Sequence, residues 1–288
     1  MSKVALLGMG AMGFRMAQNL LKENHEVIVY NRTTKVASPL VSQGATLALT
    51  PKDAAKQADF VISMVTNNEA SESIWLDEDT GAIHGLNVGS VAIECSTLNP
   101  DWIKKLNYAI TDKGAEFLDA PVVGSRPQAE AGELIFLVGG KESTLKKSEP
   151  VLMTMASTIY HMGDISAGSI MKLVVNTLFG IQVTALGEVL GVINKMGIFS
   201  KTKALDVLSA LPTTSPAMKG VGVLIANDNT SPLFPISLVE KDFNYMLEIA
   251  NLIDAKAPST KITHEIYKKA VDCGYGMENI SGVSQLYN

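Results

Sequence analysis

The sequence predicts a parallel α/β domain over residues 1–164 followed by an all-α domain over residues 165–288. Two observations carry this reading. In the first half, short apolar runs alternate with amphipathic stretches, the pattern of a doubly wound sheet with helices on its faces. Beyond about residue 160 the strand-like runs give way to helical periodicity.

The elements follow in chain order. Residues 4–7 form a first strand, residues 12–23 an amphipathic helix and residues 27–30 a second strand, with further strands at 60–65, 91–94, 117–120 and 135–139. The stretch MGDISAGS has turn composition and places the domain boundary between Gly163 and Gly168. Helices are then expected at 170–196, 201–211, 237–252 and 259–273. Residues 173–196 are apolar enough to suggest a membrane span, but Asn176, Gln182, Glu188 and Asn194 interrupt them. Polar groups at that density are costly in hydrocarbon, so a buried helix is the expectation.

Composition narrows the function. The chain has 288 residues, 47% hydrophobic and 18% charged, with 24 basic and 29 acidic side chains and a net charge of −5. Mild acidity offers no basic footprint for nucleic acid or for an anionic membrane surface, so neither is expected as a partner. Two cysteines, Cys95 and Cys273, make no disulfide framework and have no metal-ligand spacing. With no signal-peptide pattern in MSKVALLGMG, a cytoplasmic location is expected. His25, His84, His161 and His264 are scattered without metal spacing, and no metal site is expected.

One motif carries chemistry by itself. Gly8-Met9-Gly10-Ala11-Met12-Gly13 follows a strand-like run and opens a helix-like one. The first glycine permits a tight turn, the second lets the backbone approach a pyrophosphate and the third lets helix and strand pack closely, with phosphates at the helix N-terminus. The end of the second strand discriminates between nicotinamide cofactors. A carboxylate there would accept from the ribose hydroxyls of NAD, whereas an arginine can hold the extra phosphate of NADP. The chain has Asn31-Arg32-Thr33 and no carboxylate, so NADP is the expected cofactor.

Lys172 stands out in an otherwise apolar helix, four residues before Asn176 and therefore on the same face. Desolvation disfavours an ammonium ion, which brings such a lysine toward a useful proton donor near neutral pH.

The segments GMGAMGFRMAQNL, VYNRT, ECSTLNP, DAPVVGSRPQAEAGEL, GSIMKLVVN and EKDFNYML run through nearly the whole chain. Together they resemble the β-hydroxyacid dehydrogenase family, the group that contains 3-hydroxyisobutyrate dehydrogenase and the glyoxylate and succinic semialdehyde reductases. The resemblance implies an N-terminal Rossmann domain, a C-terminal helical domain joined by a long helix, and a substrate cleft between them. It implies that Lys172 is the general acid/base and that Asn176 orients lysine and substrate. Val65, Thr66 and Asn67 match the loop beside the adenosine and ribose, and Ser96 and Thr97 match a Ser-Thr pair near nicotinamide and substrate. The latter pair also reads as a helix cap before Pro100. Lys241 matches a lysine near the cofactor, Asp242 an aspartate that helps build the cleft, and Phe234 an aromatic residue on the substrate side.

In the substrate-binding motif, Val123 stands where a serine is common, and Gly124-Ser125-Arg126 looks more like the glyoxylate and succinic semialdehyde reductase branch. There the turn is expected to present N–H groups to a substrate carboxylate, with Ser125 as an added donor. Arg126 is either a surface cation or a partner for a carboxylate.

The expected activity is thus reduction of a small aldehyde or 2-oxo acid such as glyoxylate or succinic semialdehyde. The alternatives are a 3-hydroxyisobutyrate or tartronate semialdehyde enzyme, and a non-catalytic NADP-binding module, against which Lys172 weighs. The expected ligand is a small carboxylic acid and the expected assembly a homodimer or homotetramer, built on the long apolar helix.

Overall fold

The computed structural model describes residues 1–287 and forms two compact units, Met1–Lys172 and a second that begins at Leu173. In the first, the chain runs β1 (Lys3–Leu7), α1 (Ala11–Lys22), β2 (Glu26–Tyr30), α2 (Ser38–Val41), β3 (Thr46–Leu47), α3 (Pro51–Ala55) and β4 (Phe60–Ser63). It continues through α4 (Asn68–Leu76), β5 (Val91–Glu94), α5 (Pro100–Asp112), β6 (Glu116–Asp119), β7 (Val122–Val123) and α6 (Arg126–Ala131). β8 (Leu134–Gly140), α7 (Glu142–Leu152) and β9 (Ala156–Gly163) complete the sheet. Then come α8 (Ala167–Met196), α9 (Lys201–Ala210), α10 (Pro216–Ala226), α11 (Ile236–Leu252) and α12 (Pro258–Ala270).

The strands β3-β2-β1-β4-β5-β6 are parallel in that order, and β8 pairs antiparallel with β6 and β7 and parallel with β9. Why the strands are unbroken apolar runs follows from their two covered faces. Val4, Leu6, Val29, Ile62 and Ile93 point into one core with Met16 and Leu20 of α1, while Ala5, Leu7, Ile28, Val61 and Ala92 point into another with Ile103, Leu106 and Ile110 of α5. Each buried Val, Leu or Ile contributes roughly 1.5–3 kcal/mol. Because the chain reverses its strand order at β1 and β4, the loops after these strands open a crevice at the carboxyl ends, where ligands bind in such sheets.

The expected break between residues 164 and 165 lies just ahead of α8, while the division into units falls inside that helix. In the second unit Gly180 of α8 lets the rings of Phe243 and Tyr267 close in, since a side chain there would strike Phe243. The two rings lie 5.5 Å apart, and the Tyr267 hydroxyl donates to the Gly180 carbonyl at 3.1 Å. The expectation of a buried α8 holds for one face only. Half of its most apolar stretch is buried, and Ile170, Val174, Leu178, Val189, Val192 and Met196 are exposed.

Candidate functional site

The glycine turn has the geometry its sequence requires. Gly8 has φ +100°, its N–H donates to the Tyr30 carbonyl at 2.9 Å, and a side chain there would strike the Met64 carbonyl. A side chain on Gly13 would strike the Gly8 carbonyl, whereas a Cβ on Gly10 would meet nothing within 4 Å. The middle glycine therefore leaves open space directly before the first turn of α1, which contains no acidic residue. The N–H groups of that turn, including those of Ala11, Met12 and Gly13, have no carbonyl partner within the helix. An open concavity facing such donors fits a pyrophosphate. Asn31 braces the turn by accepting the Met9 N–H at 2.9 Å and donating to the Thr33 carbonyl at 2.9 Å. Arg32 and Thr33 are exposed just after β2.

The loops after β4 and β5 are tied to each other. Ser96 is buried, and its Oγ accepts the Val65 N–H at 2.8 Å, so its hydroxyl joins the two loops. Beneath it lies Glu94, fully buried, which accepts from Ser71 Oγ at 2.7 Å, Trp75 Nε1 at 2.9 Å and the Ser96 N–H at 2.9 Å. Burial raises the Glu94 pKa, and the hydrogen bonds from Ser96, Ser71 and Trp75 oppose that shift. Asn67 caps α4 by accepting the Ala70 N–H at 3.0 Å, and Thr66 is exposed beside it. The cap of α5 is Asn99, which accepts the Asp101 N–H at 2.8 Å, rather than Ser96 or Thr97. Thr97 remains half-buried between that cap and Ser96.

The segment after β6 commits the Ser125 N–H to the helix start that follows it. Val123 pairs with Ile135 of β8, and Gly124 turns the chain with φ +124°. The Ser125 N–H donates to Gln128 Oε1 at 2.9 Å, so it serves the start of α6 and is not presented to a ligand. A side-chain oxygen three residues on competes directly for this donor. Arg126, the first residue of α6, is half-buried with its Nε buried and unpartnered.

Asp119, which opens this segment, is fully buried at the end of β6. Its Oδ1 accepts the Ser166 N–H and its Oδ2 the Ser169 N–H, both at 2.8 Å. Burial pushes its pKa up to about 6, against the pull of those two N–H groups.

Lys172 is half-buried in the second turn of α8. One helical turn on, Asn176 is buried, and its Nδ2 donates to Asp242 Oδ2 at 2.6 Å. The other oxygen of Asp242 receives the Lys241 ammonium at 2.8 Å, which also lies 4.6 Å from the centre of the Tyr245 ring. Asp242 is thus an anchor, 1% exposed, with both oxygens engaged by neighbours. Phe234 packs half-buried against the helical core and donates its N–H to Asn279 Oδ1 at 2.9 Å. The structure joins Asn176, Lys241 and Asp242 as one chain of contacts. It joins Val65 and Ser96 as another, and Met9, Asn31 and Thr33 as a third. Sequence reasoning missed Glu94 and Tyr245, which touch Ser96 and Lys241, and Asp119, which holds the start of α8. The signal for Glu94 and Asp119 was an acid closing an apolar strand.

Residues 3–163 match the family model described as the NAD binding domain of 6-phosphogluconate dehydrogenase, and residues 166–287 the one described as NAD-binding of NADP-dependent 3-hydroxyisobutyrate dehydrogenase. Glyoxylate/succinic semialdehyde reductase 1 of Arabidopsis thaliana is 32% identical over 98% of this chain and 96% of its own length. Mitochondrial 3-hydroxyisobutyrate dehydrogenase of Drosophila melanogaster is 30% identical over 98% of this chain and 88% of its own. The solved structure of Mycobacterium tuberculosis 3-hydroxyisobutyrate dehydrogenase with L-serine superposes with a TM-score of 0.89 at 28% identity, covering 99% of each chain. These matches make the chain a member of the β-hydroxyacid dehydrogenase family, an oxidoreductase with an N-terminal NAD(P)-binding Rossmann domain and a C-terminal helical domain.

Proposed function

We propose that this oxidoreductase uses NADP(H) to reduce a small aldehyde acid or 2-oxo acid, with glyoxylate and succinic semialdehyde as the leading substrates. The observation that carries the reading is the buried Asn176–Asp242–Lys241 chain one helical turn from Lys172. A charge-assisted network at that depth fixes Asn176 in a single orientation. The nicotinamide, when bound, supplies the hydride. Lys172 donates the proton that the carbonyl oxygen needs, and in the reverse direction it takes the hydroxyl proton. Asn176, its amide nitrogen held by Asp242, keeps its carbonyl oxygen turned away from that carboxylate and available to orient the lysine or the substrate. The open space at Gly10 and the N–H groups of Ala11, Met12 and Gly13 hold the pyrophosphate. Val65, Thr66 and Asn67 flank the adenosine.

The preference for NADP rests on Arg32, exposed directly after β2 with no carboxylate beside it in Asn31-Arg32-Thr33. The substrate preference rests on Val123-Gly124-Ser125-Arg126, which resembles the reductase branch, and on the identity with the Arabidopsis reductase. A second reading, oxidation of 3-hydroxyisobutyrate, has the support of the Drosophila relative and of the mycobacterial structure. A steady-state screen decides between them. Glyoxylate, succinic semialdehyde and tartronate semialdehyde are offered with NADPH and NADH in parallel, and 3-hydroxyisobutyrate with NADP+ and NAD+. The first reading requires the highest kcat/KM for glyoxylate or succinic semialdehyde with NADPH. A higher value for 3-hydroxyisobutyrate, or for NADH over NADPH, would overturn the corresponding half of it.

A further inference from the structure

The first turn of α8 is held from outside the helix. We propose that Asp119 is a positioning residue for Lys172: by accepting the Ser166 and Ser169 N–H groups it fixes where α8 begins, and so where Lys172, three residues beyond Ser169, presents its ammonium. This rests on the reading of Lys172 as the proton donor.

The geometry supports this role from several sides. The N–H groups at a helix start have no partner within the helix, and a side chain at the start ordinarily supplies one. Here Ser166 sits directly before α8, yet the acceptor comes from Asp119, 47 residues earlier, at the end of β6. Ser166 has φ +77°, a conformation that costs a non-glycine residue energy and persists only where its surroundings impose it. The helix start also has no room to slide. A Cβ on Gly168 would lie 2.8 Å from the Asp119 carbonyl oxygen and 2.9 Å from the Gly139 nitrogen, and one on Gly139 would strike the Asp119 carboxylate. Asp119 is at the same time the first residue of the segment that leads to Gly124 and Arg126. One side chain therefore sets the start of the lysine-bearing helix and the root of the substrate segment. A neutral cap would satisfy the same N–H groups without the desolvation that raises the Asp119 pKa.

The test is Asp119→Asn, which keeps the shape but offers one acceptor where two are needed. A displacement of about 1 Å in a catalytic group lowers turnover by up to about 100-fold, so kcat should fall about 10- to 100-fold. The dissociation constant for NADPH, read by fluorescence, should stay within about twofold because the turn at Gly8 to Gly13 is untouched. Should this variant be insoluble, Asp119→Ser is read in the same way. Unchanged kcat overturns the inference. So does a parallel loss of kcat and NADPH binding, which marks a general folding defect. Lys172→Ala, assayed alongside, separates the two ideas. Ordinary turnover in that variant means the lysine assignment has failed, whereas an inert Lys172→Ala with a fully active Asp119→Asn rejects the role of Asp119 alone.

Discussion

Each unit buries one aspartate that reaches α8, and the two are held in different ways. Asp119 in the first unit accepts two backbone N–H groups and has no cation among its hydrogen-bond partners, whereas Asp242 in the second accepts one amide and one ammonium. The first holds backbone, the start of a helix. The second holds side chains, Asn176 and Lys241. A carboxylate on neutral dipoles is marginally ionised when fully buried, and burial pushes that of Asp119 up to about 6. One with a cation beside it is held by its partner as well as by dipoles, and the pair fails when either member is removed.

The contrast can be broken at its charged end first. Asp242→Ala takes from Lys241, whose side chain is only 15% exposed, the carboxylate it holds at 2.8 Å, and removes the acceptor of Asn176. Removing one member of a buried pair costs about 3–5 kcal/mol. Urea unfolding should show a loss of that size, and a loss under about 1 kcal/mol would mean that water replaces the aspartate.

At the neutral end the effect depends on pH. The folded-state pKa of Asp119, about 6, lies above its ordinary value of 3.8, so the native state binds the extra proton between those values. Its contribution to stability is therefore full below about 3.8 and is lost as pH rises through 6. The shift corresponds to about 3 kcal/mol. Glu94, its neighbour across β5, is shifted in the same direction, and Glu116, lowered by Lys147, in the opposite one. The difference between the wild type and Asp119→Asn isolates the single group. From pH 7 to pH 4 the wild type should gain about 2.4 kcal/mol on the variant, and a constant difference would refute the assignment.

Smaller effects are expected at two arginines. Arg32→Asp should reduce kcat/KM with NADPH by about 1.5–3 kcal/mol relative to NADH, the worth of a hydrogen bond to a charged group. An equal effect on both cofactors would make Arg32 a solvated loop residue. Arg126→Ala should reduce kcat/KM for succinic semialdehyde more than for glyoxylate, by about 1–3 kcal/mol, because only the longer substrate places its carboxylate far from the reacting carbonyl. Equal losses would mean that Arg126 does not sense substrate length.

Much of this arrangement was legible in the sequence. Strands covered on both faces are apolar throughout, so β1, β2, β4, β5, β6 and β8 all announced themselves. β9 did not, since most of its residues are exposed or half-buried and its strand conformation comes from pairing along the edge of β8. α10 was missed although Ser215 and Pro216 are a good helix start, because Gly220 and Gly222 blur its periodicity. At the candidate site, the placement of Lys172 and Asn176 on one face of a helix was readable from their spacing. The partners of Asn176 and Asp119 were not, lying 66 residues from one and 47 and 50 from the other. The engagement of the Ser125 N–H by Gln128 was readable in principle, as Ser125-Arg126-Pro127-Gln128 has the spacing of a capping box. Its similarity to a substrate-binding turn hid that.

The most direct measurement is the turnover of Lys172→Ala set beside its affinity for NADPH. Loss of a positioned proton donor lowers kcat by about 10²–10⁴-fold, and the dissociation constant for NADPH should remain within about twofold of the wild type. Ordinary turnover in that variant, with the same substrate and cofactor, would contradict the account at its centre and place the proton donor elsewhere.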